Sequence, residues 1–200
     1  MAEEILPGLY GISLDWVNVF VLVDDAVTLV DAGQSDHYDR IEAGVKELGR
    51  TLGELDNLVL THHHGDHIGC VPQLPDPEIF VHELDAPVIQ PTANRPMTQV
   101  GDKAEIPRTG GLRAVHTPGH TKGHIALLHP DKRVLIVGDA IGNMGGLGLL
   151  EQFNEDNDEA ARSCSILAAL DFDTAVFGHG TVLRGKANAE FRKFVDALAV

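Results

Sequence analysis

The sequence predicts an α+β fold in which two mixed β-sheets pack face to face and helices cover both outer faces, an αββα arrangement. Three observations carry this. The chain has 200 residues and 44% apolar composition, enough to bury a sizeable core. Each half reads as short strands first and helices after. Two apposed sheets with helices outside both would bury every apolar face so generated. No short-period repeat or low-complexity linker divides the chain, so one domain over 1–200 is expected.

The elements follow in order. "LYGIS", "NVFVLVD" and "AVTLVDAG" are short, β-branched and apolar, with Asp24-Asp25 as a turn between the last two. "SDHYDRIEAGVKELG" turns helical: Tyr38, Ile41, Val45 and Leu48 recur at helical spacing, with Ser35 as the cap and Gly49 as the stop. Leu58 to Leu60 form a buried strand that runs into a polar loop. "EIFVHE" is another strand, and "DAPVIQ" a short turn or helix. Residues 91–111 are rich in Pro, Gly and Thr and read mostly as loop. "LRAVHTPGHTKGHIALLHPDKRVLIVGDAI" holds three strands, with "PDKR" as a turn. "DNDEAARSCSILAALD" is a helix with Ala160, Cys164, Leu167 and Ala168 on one stripe. "TAVFGHG" is a strand ending in a loop, and "NAEFRKFVDALAV" a closing amphipathic helix with Phe191, Phe194, Val195 and Leu198 inward.

Composition restricts function. The formal net charge is −15, which weighs against nucleic acid or an anionic membrane as partner, because phosphate binding runs on Lys and Arg. Two cysteines, Cys70 and Cys164, make no disulfide framework. The N-terminus "MAEEILPGLYG" is acidic where a signal peptide is basic, and no apolar run approaches the about 20 residues of a spanning helix. A cytoplasmic protein acting on a small molecule is expected.

The chemistry concentrates in "LTHHHGDHIGC", Leu60 to Cys70. His62 and His64 lie two apart, so in extended backbone both point the same way and His63 points elsewhere. Gly65 lets the backbone turn, and Asp66 and His67 arrive from a new direction. That alternation can serve two neighbouring centres, and imidazole with carboxylate suits zinc, iron or manganese. Further donors follow apolar strands: His120, Asp139 and His179, all at strand-to-loop junctions.

With these residues the chain resembles the metallo-β-lactamase-fold hydrolases, among them compact glyoxalase II-like and lactonase-like members. The family's His-x-His-x-Asp-His motif is met by His62, His64, Asp66 and His67, its later ligands by His120, Asp139 and His179, and its early V-D-x-G-type motif by Asp31 and Gly33 in "LVDAG". The resemblance implies metals at one edge of the two sheets. One would be held by His62, His64 and His120 and the second by Asp66, His67 and His179, with Asp139 bridging. Two Zn2+ are implied, with Fe or Mn as alternatives. Asp66 and Asp139 are the implied catalytic carboxylates, and Asp31 and Thr61 orient the ligands. Family habit and the apolar loop suggest a homodimer.

The remaining candidates divide by role. His63 reads as structural. His116 and His124 flank His120 at four-residue spacing but fall outside the family's ligand pattern, although His124 could face substrate. His37, His82 and His129 read as ordinary strand or surface residues. Cys70 is either a small buried residue or a redox-sensitive thiol beside the metals. Trp16 and the flexible, apolar "GNMGGLGLLEQF", with Met144, Leu147, Leu149 and Leu150, could line a substrate pocket or an oligomer contact. The resemblance implies a hydrolase of an ester, thioester, lactone or related carbonyl. A mononuclear iron persulfide dioxygenase is the alternative, because it retains the same motif. β-Lactam cleavage is less favoured, since the commonest such enzymes carry a signal peptide and often Cys at the Asp139 position.

Overall fold

A computed structural model describes residues 1–198. Strands β1 (Ala2–Leu6), β2 (Leu9–Leu14), β3 (Val17–Val23), β4 (Val27–Val30), β5 (Asn57–Val59), β6 (Glu78–His82) and β7 (Thr98–Val100) form the first sheet in that order. It is antiparallel from β1 to β4 and parallel from β4 to β7. In the second sheet, β8 (Arg113–His116), β9 (Ile125–His129), β10 (Val134–Ile136), β13 (Thr174–Val176) and β14 (Leu183–Arg184) lie side by side in chain order. Here β10 and β13 pair in parallel. A small hairpin, β11 (Gly142–Asn143) with β12 (Leu147–Gly148), stands apart. The helices are α1 (Tyr38–Glu47), the single turn α2 (Gly65–Ile68), α3 (Ala86–Ala93), α4 (Asn157–Ala168) and α5 (Ala187–Leu198).

Strand alternation sorts the apolar residues into three layers. In β3, Val17, Val19 and Val21 face α1 and α3, while Phe20 and Leu22 face the other sheet. In β10, Val134 and Ile136 join that inter-sheet layer and Leu135 turns to α4 and α5. The result is helix, sheet, sheet, helix. Parallel pairing matters most for function. Val30 lies opposite Val59, and Ile136 opposite Val176, so in each sheet two chain segments leave the same edge side by side.

Several expectations are corrected. β1 and β7 are strands the sequence reading left out; each is short and carries polar residues on an edge. Ser35 does not cap α1. The helix starts after His37, whose Nδ1 accepts from the Gln34 N–H at 3.1 Å, and the Ser35 carbonyl is instead taken by Gln73 Nε2. Leu198 is exposed, one turn beyond the last packed residues of α5, Phe194 and Val195. The "GNMGGLGLL" stretch contains the β11–β12 hairpin rather than open loop. His82 and His129 lie on strands β6 and β9, as expected, whereas His37, off the strands, is buried rather than at the surface.

One carboxylate joins the two halves. Asp85, buried at the head of α3, accepts from Thr121 Oγ1 and from the Gly123 N–H, each at 2.7 Å, in the loop after β8, and faces His63 Nδ1 at 3.1 Å. Burial opposes its charge, but His63 and Thr121 outweigh that and keep its pKa lowered. Gly123 is required here, because a Cβ would stand 2.5 Å from Asp85 Oδ1. Asp85→Ala leaves several buried donors unpaired, and should cost about 2–4 kcal/mol in urea unfolding; a loss near zero would show that this tie does not hold the halves together.

Candidate metal centre

The two parallel pairs deliver the site. Beyond β4 comes Asp31, held in the left-handed region at φ 62. Beyond β5 come Thr61 and His62, beyond β10 Asp139, and beyond β13 His179. Asp31 is buried and satisfied three ways: its Oδ1 accepts from the Thr61 N–H, and its Oδ2 from Thr61 Oγ1 and His67 Nδ1, all at 2.8 Å. The sheets meet at this edge, where the Ile125 N–H donates to the Thr61 carbonyl (2.9 Å) and the Asn18 N–H to the Gly178 carbonyl (2.8 Å).

Seven side chains converge, in two groups. His62, His64 and His120 form one, Asp66, His67 and His179 the other, and Asp139 also groups with His62 and His67. Asp139 Oδ2 faces both sides, 3.0 Å from His179 Nε2, 3.4 Å from both His67 Nε2 and His120 Nε2, and 3.9 Å from His62 Nε2. Two glycines make room for it and for His124. A Cβ on Gly178 would collide with Asp139 Oδ1, and one on Gly138, at φ +58, would stand 2.6 Å from His124 Nε2.

The surrounding hydrogen bonds set the imidazole tautomers. Thr61 Oγ1 spends its proton on Asp31, so at 3.0 Å it accepts from His62 Nδ1. His120 Nδ1 donates to Asn154 Oδ1 (2.8 Å), His67 Nδ1 to Asp31, and His179 Nδ1 to the Trp16 carbonyl (2.8 Å). In the neutral rings each of these bonds leaves Nε2 bare and aimed inward. His64 Nδ1 lies 3.1 Å from His62 Nε2 and 2.9 Å from His120 Nε2, so three nitrogens share at most one proton. His67 Nε2 and Asp139 Oδ1 are buried with no hydrogen-bond partner among the described residues. Converging lone pairs and orphaned buried atoms are what a cation site presents, and the donor set fits metal ions.

The two groups titrate in opposite directions. Burial, assisted by His67, holds His62 well below the usual histidine range, and burial takes His120 to about 4. Burial and His63 likewise lower His64. On the other side burial opposes charge on His67 and His179, but neighbouring carboxylates prevail. Asp139 and Asp31 raise His67 well above its ordinary value, and Asp139 and Asp66 raise His179 to about 10. Burial also opposes ionisation of Asp139, yet His67 and His179 hold it well below the carboxylate range.

Other residues named from sequence fall in different places. Trp16 and Met144 line the cavity above the site. Leu147 does not; it packs against the α4–α5 core. His124 is not substrate-facing. It is wholly buried, its Nε2 accepts the Asp139 N–H at 2.9 Å, and its Nδ1 is 2.8 Å from Thr117 Oγ1, so it positions Asp139's backbone. Cys70 donates to the Gln34 carbonyl, and burial pushes its thiol up to about 11, which removes reactive thiolate character. His116 stacks on His82 at 4.1 Å, away from the site. The sequence gives no sign of the roles of Asp85 and Asn154, and it offers the stretch ending at Phe153 without marking that residue. Asp85 heads a helix, an ordinary place for aspartate, and nothing local reveals its distant partners.

Comparison with known proteins agrees with this geometry. A model of the metallo-beta-lactamase superfamily matches residues 15–179. An uncharacterized protein, YobT, of Bacillus subtilis is 30% identical, over 84% of this chain and 84% of its own length. A hydroxyacylglutathione hydrolase of Ruegeria pomeroyi is 33% identical, over 92% of this chain and 72% of its own. Among solved structures, a metallo-beta-lactamase family protein from Thermus thermophilus superposes with a TM-score of 0.78 at 23% identity, covering 98% of this chain and 81% of that one. The family match spans all seven converging side chains, from His62 to His179, and the chain belongs to the metallo-beta-lactamase superfamily.

Proposed function

We propose that this chain is a hydrolase with a binuclear zinc centre that cleaves an ester, thioester, lactone or related carbonyl bond. One observation carries the reading: two three-donor groups stand side by side, share Asp139 between them, and aim imidazole nitrogens inward, with burial keeping His62 and His120 neutral. His62, His64 and His120 would hold one ion, Asp66, His67 and His179 the other, and Asp139 would lie between. Two bound zinc ions would supply Lewis acidity toward a carbonyl and bring the pKa of water toward about 7. The relative named for hydrolysis of hydroxyacylglutathione supports acyl transfer to water as the reaction class.

The chain's own residues account for the remaining tasks. Asp31 and Asn154 fix imidazole orientation through Nδ1. His124 fixes Asp139 through its backbone N–H. Asp66 is part-exposed to the cavity, with Oδ2 3.4 Å from His179 Nε2. It can orient water, take its proton and pass that proton to the leaving group.

Three outcomes test this. Protein purified without added metal should contain about two zinc ions per chain by elemental analysis. One iron per chain, with oxygen consumed in the presence of glutathione persulfide, would establish the dioxygenase alternative instead. Chelator-stripped protein should melt lower, and zinc restored at about 100 times its Kd should stabilise by about 2.7 kcal/mol, or about 5–10 °C in Tm. Asp66→Asn should lower kcat about 10²-fold or more, while His63→Ala, whose ring turns to Asp85, should cost about tenfold or less. Equal losses would refute the division of roles within the loop.

A further inference from the structure

The cavity over the centre encloses about 450 Å³. Its floor is made of the converging His and Asp side chains. Its walls are Trp16, Met144, Leu150 and Phe153. Trp16, Met144 and Phe153 are 57%, 68% and 65% exposed, a large apolar area for a chain with 30 acidic residues. They come from three separate segments, and each is fastened close to the site. The Trp16 carbonyl accepts from His179 Nδ1. Met144 follows Asn143, whose N–H donates to the His179 carbonyl at 3.0 Å and whose carbonyl accepts from the Thr181 N–H. Phe153 closes a turn onto the Leu150 carbonyl at 2.8 Å and precedes Asn154, the acceptor for His120. Three independent loops thus bring apolar side chains to one opening, which is the character of a substrate wall.

Among the described residues, no lysine or arginine lines this cavity. Its charged side chains are those of the centre itself, and the segment carrying the Phe153 wall adds Glu151 and Glu155. Enzymes that recognise carboxylate, phosphate or sulfonate groups on a substrate do so with guanidinium or ammonium donors. Glutathione carries two carboxylates, and this wall offers neither a partner. We propose that the substrate is a carbonyl compound whose recognised portion is uncharged and apolar, an alkyl or aryl ester, thioester or lactone, gripped by Trp16, Met144, Leu150 and Phe153. This specificity rests on the hydrolase reading above, but the binding it requires can be measured without turnover.

Trp16 is the only tryptophan of the chain, so its fluorescence reports cavity occupancy directly. Octanamide should change that fluorescence, and 8-sulfooctanamide, with the same eight-carbon chain but an anionic end, should bind at least about tenfold more weakly, with zinc-loaded and with chelator-treated protein. In the zinc-loaded protein, 4-nitrophenyl octanoate should have a kcat/KM at least about tenfold above that of the 4-nitrophenyl ester of 8-sulfooctanoic acid. Phe153→Arg, at an exposed position, should narrow both ratios, chiefly through KM. Equal or reversed preference, or ratios unmoved by Phe153→Arg, would overturn the inference even if both esters are hydrolysed. Selective binding of octanamide with no octanoyl ester, thioester or lactone cleaved would support the apolar wall and sink the hydrolase reading alone.

Discussion

His64 Nδ1 stands about a hydrogen-bond length from both His62 Nε2 and His120 Nε2, with at most one proton among the three. That crowding is the constraint around which the rest is arranged. The lone pairs of His62 and His120 face the same space, and burial withholds the further protons that would relieve them. The adjoining group meets the same difficulty with carboxylates, where Asp139 and Asp66 draw charge onto His67 and His179. A proton can stand in on that side. On the first side a single proton on His64 Nδ1 is all that the three nitrogens can share, and the fold holds the rings in place by bonds that do not depend on it.

Those bonds run outward through Nδ1 in four of the five imidazoles: to Thr61, Asn154, Asp31 and the Trp16 carbonyl. Asp31 is central, with three donors on one buried carboxylate. Buried polar networks of this kind are worth having only when complete. Here they are complete on the outer side of the converging imidazoles and open toward the centre, where His67 Nε2 and Asp139 Oδ1 are left without partners among the described residues. The asymmetry separates a preorganised site from a core that happens to be rich in histidine. Asp85 extends it one layer further by joining the His63 segment to the loop that carries His120.

Much of this was legible in the sequence, for physical reasons that also explain the gaps. Strands buried on both faces, such as Leu58–Leu60 and "VLIV", announce themselves by unbroken apolar runs, and the polar residue that ends each run is where a ligand can stand. The helical stripes of α1 and α4 follow the same periodic logic. Edge strands β1 and β7 escaped because half their side chains face water, leaving little apolar signal. His124 and His120 could not be separated by spacing. Only the fold turns one ring into the centre and the other against the Asp139 N–H. Leu147 and Met144 sit on one glycine-rich hairpin, where no period tells which side chain faces the core. Asp85 and Asn154 act through partners 36 and 34 residues away, a separation that pattern reading does not reach.

Charge links the centre to its cavity. A net charge of −15 favours the approach of cations and disfavours that of anions over distances of about a Debye length. The same field that helps gather metal ions therefore works against a negatively charged substrate, unless local cations reverse it. Among the described residues no cationic Lys or Arg lines the cavity, and the large side chains at its walls are apolar. Two positive ions bound at its floor would offset the buried carboxylates there without extending positive charge to the walls. An uncharged substrate crosses this field at no electrostatic cost and gains by covering Trp16, Met144 and Phe153, which the free protein leaves in water. The acidic surface and the apolar walls would therefore select in the same direction: cations for the centre and, on the specificity proposed above, neutral molecules for the space above it.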